Sequence, residues 1–187
     1  MSRVGVLALQ GDVREHMRIL EALGADAISV KTPERLDSVD ALVIPGGEST
    51  TIGKMAVRFG LLEPLRSVAE SGLPMYGTCA GMILLAGTVT EGDQPLLGVL
   101  DVVVKRNAFG RQNESFEADL DIRGLDTPFH AVFIRAPWIE KVGSEVEILS
   151  EVDDHPVMVR QGSLLATSFH PELTGDGRIH QMLLDSI

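Results

Sequence analysis

The sequence predicts an α/β domain with a mostly parallel central sheet and some antiparallel additions. Three observations carry this. The first half alternates short, fully apolar runs with helical patterns. Gly24, Gly60, Gly72 and Pro74 fall where those helical patterns stop. The second half is richer in strand and includes a run that alternates apolar with charged residues. Apolar strands separated by helices are buried on both faces, as in a parallel sheet with helices on either side.

Taken in order, residues 4–9 read as a buried strand. Asp12 stands where a helix cap belongs, with Glu15 three residues on to complete a capping box. Val13, Met17, Leu20 and Leu23 follow at helical spacing, and Gly24 ends that helix. Residues 27–30 and 41–44 read as two more strands. Ser49 or Thr50 is placed to cap the next helix, where Ile52, Met55, Ala56 and Phe59 share a face. Leu61, Leu65, Val68 and Ala69 mark another helix. Residues 75–78 are a fourth short strand and residues 80–86 a helix. Later, Phe116, Ala118, Leu120 and Ile122 alternate with Glu117, Asp119, Asp121 and Arg123, the pattern of a strand with one wet face. Residues 129–134, 146–152, 156–159 and 164–169 add strands, and residues 179–187 a closing helix that reads as cut short.

The length of 187 residues fits one domain spanning 1–187. The net charge of -11, with Lys and Arg scattered, argues against nucleic acid and anionic membrane as partners. Cys79 is the only cysteine, which excludes an internal disulfide and a multi-cysteine zinc site. The N-terminus is too briefly apolar for a signal peptide, and no apolar run approaches the roughly 18 residues that cross a bilayer. The expected setting is cytoplasmic and reducing.

Ligands of parallel α/β sheets sit at the carboxyl ends of the strands. Gln10-Gly11-Asp12, Pro45-Gly46-Gly47-Glu48-Ser49-Thr50 and Gly77-Thr78-Cys79-Ala80-Gly81 all fall at such ends. The last is G-x-C-x-G between strand and helix, the thiol counterpart of the nucleophile elbow. Glycines on either side allow close approach of chain segments, and the helix start favours a thiolate. The Ala80 N–H is placed to donate to an oxyanion. A lone cysteine is more often an inert buried hydrophobe, but the elbow context points to a nucleophile. Its base is His170, at the end of an apolar run and followed by Pro171 and Glu172. Glu172 is placed to hydrogen-bond the imidazole and fix its tautomer. His16 and His180 lie on predicted helices and are expected to be solvated; His130 lies in a strand pattern and His155 in an acidic turn. Gly46 and Gly47 can offer backbone N–H groups to an anion.

The elbow, the glycine pair and the late H-x-E together resemble the class I, or triad, glutamine amidotransferase family, over residues 4–172. Within it the chain resembles the glutaminase subunits of pyridoxal 5'-phosphate synthases. The segments that carry this are Val6-Leu7-Ala8-Leu9-Gln10-Gly11-Asp12, Pro45 to Thr51, Gly77 to Met82, Arg106-Asn107-Ala108-Phe109-Gly110-Arg111-Gln112, Phe133-Ile134-Arg135-Ala136-Pro137 and Phe169-His170-Pro171-Glu172.

That resemblance implies a flavodoxin-like three-layer domain that splits L-glutamine into glutamate and ammonia. It implies Cys79, His170 and Glu172 as catalytic residues and the Gly47 and Ala80 N–H groups as oxyanion hole. It implies Gly47, Glu48, Ser49, Arg106, Ile134 and Arg135 as the glutamine pocket, with no cofactor and no metal. The arginines suit an α-carboxylate, which a guanidinium meets bidentately, and Glu48 suits the α-ammonium. It also implies a synthase partner that builds pyridoxal 5'-phosphate from ribose 5-phosphate, glyceraldehyde 3-phosphate and the ammonia, in an assembly of twelve copies of each subunit. Gln10, Gly11, Asp12, Arg14, Glu15 and His16 would form the docking surface, and docking would complete the oxyanion hole. The alternatives are a triad glutaminase of another pathway, a cysteine hydrolase or peptidase, and a regulatory binding domain with an inert Cys79.

Overall fold

The computed structural model describes residues 1–109 and 115–187. Gly110, Arg111 and Gln112 of the Arg106-led segment lie outside the described residues. The chain opens with β1 (Arg3–Leu7), α1 (Val13–Ala22), β2 (Asp26–Val30), α2 (Pro33–Leu36), β3 (Ala41–Ile44), α3 (Ser49–Arg58), α4 (Leu62–Glu70), β4 (Met75–Thr78) and α5 (Ala80–Leu85). It continues with β5 (Ala86–Val89), β6 (Leu100–Lys105), β7 (Ser115–Leu120), β8 (Phe129–Ile134), β9 (Trp138–Val142), β10 (Glu147–Val152), β11 (His155–Gln161), β12 (Leu164–Thr167), a 3-10 turn (Pro171–Leu173) and α6 (Arg178–Leu184).

Seven strands form the central sheet in the order β10-β11-β12-β4-β3-β1-β2. The pairs from β12 to β2 are parallel, and β11 and β10 are added antiparallel at one edge. Alternation along each strand sends side chains to opposite faces. Leu42 and Ile44 of β3 join one core, with α3, α4 and α5 over it. Ala41 and Val43 join the other, beneath α1, α6 and the β7–β8 hairpin. The result is the expected three-layer α/β arrangement with a mostly parallel sheet.

Several local expectations are corrected. Asp12 occupies the N-cap of α1 but its side chain makes no capping hydrogen bond; it turns toward His170 instead. Glu48, not Ser49 or Thr50, caps α3, accepting the N–H groups of Thr50 and Thr51. The helix after Cys79 ends at Leu85, because Ala86 already has extended backbone and starts β5. The closing helix is Arg178–Leu184 rather than residues 179–187. His16 and His180, expected in solvent, are both fully buried. A second, small sheet of β5, β6 and β9 and the short α2 were not expected.

Four neighbouring parallel strands, β12, β4, β3 and β1, bring their carboxyl ends to one edge. The segments that leave those ends carry His170, Cys79, Gly47 and Gln10 respectively. The small sheet and the hairpin bring Arg106, just past β6, and Ile134 and Arg135, at the end of β8, to the same cavity.

Candidate active site

Cys79 stands between β4 and α5 with φ 50° and ψ -100°, a conformation that costs a non-glycine residue energy and is typical of functional turns. Its neighbours explain why the turn closes. A side chain on Gly77 would lie 2.6 Å from Gly81 backbone, and one on Gly81 would run into the Ile44 carbonyl. The Cys79 N–H donates to the Thr167 carbonyl at 2.7 Å, tying the elbow to β12. Cys79 is 8% exposed and lines a cavity of about 420 Å³.

His170 follows β12, and its backbone N–H donates to the Val132 carbonyl of β8 at 2.9 Å. Its Nδ1 lies 2.6 Å from Glu172 Oε1. Both side chains are buried. Gly46 leaves room for the ring, since a side chain there would lie 2.5 Å from His170 Cε1. Burial alone would pull the imidazole down, but hydrogen bonding and charge from Cys79 and Glu172 outweigh it and raise His170 to about 10. Burial pushes the Glu172 carboxyl up, opposed by its bond with His170. These two shifts pull apart; the 2.6 Å contact is that of a charged N–H···O pair and favours an ionised Glu172.

The cavity is lined by Gly47, Glu48, Ser49, Ala80, Arg106, Ile134 and Arg135, all predicted, and by Cys79 and His170. Glu172 stands behind His170 and outside the lining. Glu48 is not free: besides capping α3 it accepts from the Thr51 hydroxyl at 2.6 Å and lies 3.4 Å from the Arg106 guanidinium. Burial would raise this carboxyl, yet the bonds from Thr51 and Thr50 hold it below the usual range. Arg106 also reaches Thr50 Oγ1 at 3.4 Å. Arg135 adopts a positive φ of 42°.

Of the residues expected at a docking surface, Gln10, Gly11 and Arg14 are exposed and Asp12 and Glu15 half-buried. His16 is wholly buried, so its side chain has no surface to offer a partner. Gln10 also lines the cavity, and its Oε1 accepts the Glu48 N–H at 2.8 Å.

Sequence reasoning missed Asp12 as part of the site. Its Oδ2 lies 3.6 Å from His170 Nδ1, and burial raises its carboxyl against the pull of His170. Asp12, His170 and Glu172 present donor atoms within 4.8 Å of one another. Asn107 and Pro137, to which the motifs assign no role, also line the cavity.

Chemically, the arrangement offers a thiol, a base shared with it, and a carboxylate on the base's other nitrogen. Beside them lies a polar cavity with two guanidinium groups and a carboxylate.

Known proteins resemble this chain along nearly its whole length. A pyridoxal 5'-phosphate synthase subunit PdxT of Frankia alni is 61% identical, covering 99% of this chain and 94% of that relative. One of Mycobacteroides abscessus is 59% identical, covering 98% and 96%. A crystal structure of a glutamine amidotransferase superimposes with a TM-score of 0.94 at 53% identity, over 98% of this chain and 97% of that one. In the structure of PurLQS from Thermotoga maritima, a chain at 17% identity shares the fold with a TM-score of 0.72, over 99% of each chain. The model of the SNO glutamine amidotransferase family matches residues 6–187, and the chain belongs to that family.

Proposed function

We propose that the chain, as one glutaminase domain, hydrolyses L-glutamine to L-glutamate and ammonia with Cys79, His170 and Glu172. The ammonia passes to a synthase subunit that makes pyridoxal 5'-phosphate. The observation that carries this is the Cys79 elbow sharing one imidazole with a buried carboxylate at the head of a polar cavity. Membership of the family and the PdxT relatives support the substrate and the pathway.

The Cys79 thiolate attacks the side-chain amide carbonyl. The oxyanion that forms is held by the N–H groups of Gly47 and Ala80. The C–N bond breaks as His170 donates its proton to the leaving nitrogen, and ammonia departs from a γ-glutamyl thioester. His170, now neutral, takes a proton from water, which attacks the thioester and releases glutamate. Glu172 keeps the Nδ1 proton in place throughout. Arg106 and Arg135 receive the α-carboxylate and Glu48 the α-ammonium, which would displace the Glu48–Arg106 contact. Ser49 and Ile134 complete the pocket.

Gln10, Gly11, Asp12, Arg14 and Glu15 form the docking surface for the synthase. Gln10 connects that surface to the oxyanion loop through its bond to the Glu48 N–H. The reading puts the enzyme in the cytoplasm, where a free nucleophilic thiol stays reduced. Among the described residues no helix is long and apolar enough to cross a membrane.

The test is glutamate release from L-glutamine with and without the synthase. The rate is expected to rise when the synthase is added. Equal rates would remove the docking account, and no release in either case would remove the substrate.

A further inference from the structure

Glu172 has two carboxylate oxygens, and the proposed mechanism uses one. Oε1 meets His170 Nδ1. Among the described residues Oε2, which is buried, has no hydrogen-bond partner, a costly state for an ionised oxygen. The titratable groups around the carboxylate are Asp12 at the N-cap of α1, His16 within α1, Tyr76 from β4 and His170 after β12, with His180 of α6 behind His16. Of these, His16 Nε2 faces Oε2 directly, at 3.6 Å.

His16 makes two further contacts: Nε2 lies 3.2 Å from Thr78 Oγ1 and Nδ1 lies 2.8 Å from His180 Nε2. His180 Nδ1 is buried and has no partner among the described residues. Burial first, then the neighbouring imidazoles His180 and His170, hold His16 neutral. Burial lowers His180 to about 4. Each ring therefore carries one proton near neutral pH, and only one of the two nitrogens at the 2.8 Å contact can be protonated.

If His16 Nδ1 holds the proton, His180 must carry its own on Nδ1, where nothing accepts it. Glu172 Oε2 then faces a bare lone pair. That leaves two orphans, one an N–H and one an anionic oxygen. If instead His180 Nε2–H donates to His16 Nδ1, the His16 Nε2–H is directed at Thr78 Oγ1 and Glu172 Oε2. Oε2 then faces an N–H instead of a lone pair, and the group left bare on His180 is a neutral lone pair, which costs less than an orphaned N–H.

We propose that His16 is a positioning residue for Glu172: its Nε2–H, set in that tautomer by His180, holds the free oxygen of the carboxylate that orients His170. The 3.6 Å separation is longer than a formed hydrogen bond. At that distance the N–H dipole acts on the buried carboxylate electrostatically, in a site of low dielectric. The line of contacts runs Cys79, His170, Glu172, His16, His180, so the buried face of α1 reaches the triad while its opposite face meets solvent. This rests on the reading of Cys79, His170 and Glu172 as the triad.

The test compares wild type, Cys79→Ala, His16→Leu and His16→Gln for glutamate release across pH, with the synthase present. His16→Leu removes the N–H while filling the space; His16→Gln returns an N–H near the Nε2 position. His16→Leu is expected to lower kcat about 10- to 100-fold, the worth of one hydrogen bond to a charged group, with KM little changed. It should also move the acid limb of kcat/KM upward, because a less supported Glu172 takes a proton more readily. His16→Gln is expected to recover most of that loss. An inactive Cys79→Ala beside a His16→Leu with wild-type kcat and pH profile overturns the proposal and leaves the triad standing. Equal loss in His16→Leu and His16→Gln marks a purely structural role and also overturns it. An active Cys79→Ala removes the triad and the proposal with it. NMR of the wild-type protein with 15N-labelled histidine gives a reading free of any folding defect in the variants. A proton on His16 Nε2 is expected, and one on Nδ1 overturns the proposal.

Discussion

His170 meets three demands at once: it touches the Cys79 thiol, is held by a carboxylate, and sits where only a glycine at position 46 leaves it room. Its imidazole is raised to about 10 by Cys79 and Glu172 against the pull of burial. A raised histidine stabilises the fold fully below its unfolded value near 6.5. That contribution is lost as pH rises through about 10. NMR titration should therefore find His170 cationic through neutral pH in wild type and titrating lower in Glu172→Gln, which removes one raising partner. An unchanged value in the variant would mean that Glu172 does not set the charge of the base. The same variant should lower kcat about 10²- to 10⁴-fold, as loss of the orienting carboxylate does in serine triads.

At the scale of elements, two glycines separate stability from catalysis. A methyl on Gly81 meets the Ile44 carbonyl, backbone that cannot step aside. Gly81→Ala should cost about 2 to 4 kcal/mol, read from urea unfolding. A methyl on Gly46 meets the His170 ring instead, so Gly46→Ala should lose activity out of proportion to stability. Equal stability losses would show that the ring moves freely. Much of this level was legible in the sequence. Periodicity and glycine placement marked β1, α1, β3, α3, α4, β4 and α5, because each buries a full face or stripe. The caps were read less well. Glu48 displaced Ser49 and Thr50 because a longer side chain folds back onto two N–H groups, and Asp12 preferred a partner far along the chain. β5, β6 and β9 were missed: they build a small sheet of their own, β5 follows α5 without a break, and β6 lies between loops.

At the scale of the molecule, the sheet order brings the ends of β12, β4, β3 and β1 to one edge, and this is what joins residues 10, 47, 79 and 170. The motifs named those residues in advance, but spacing along the chain holds no record that His16 and His180, 164 positions apart, meet at 2.8 Å. Helical periodicity alone assigned both to solvent, whereas α1 and α6 cover the same sheet face and pair them in the core. That burial has a consequence for the whole fold. A histidine lowered to about 4 stabilises the native state above its unfolded value near 6.5. That stability is lost as pH falls toward about 4. His180 alone should account for about 3 kcal/mol of acid destabilisation across that window. Unfolding free energy against pH for wild type and His180→Leu measures it: the variant's curve should be flatter between those values, and parallel curves would contradict a neutral buried His180.

Cys79 is the proposed nucleophile. The most direct measurement is glutamate release from L-glutamine by wild type and Cys79→Ala, each with the synthase present. Release by the wild type and none by the variant is the predicted result. Equal release by both would contradict it.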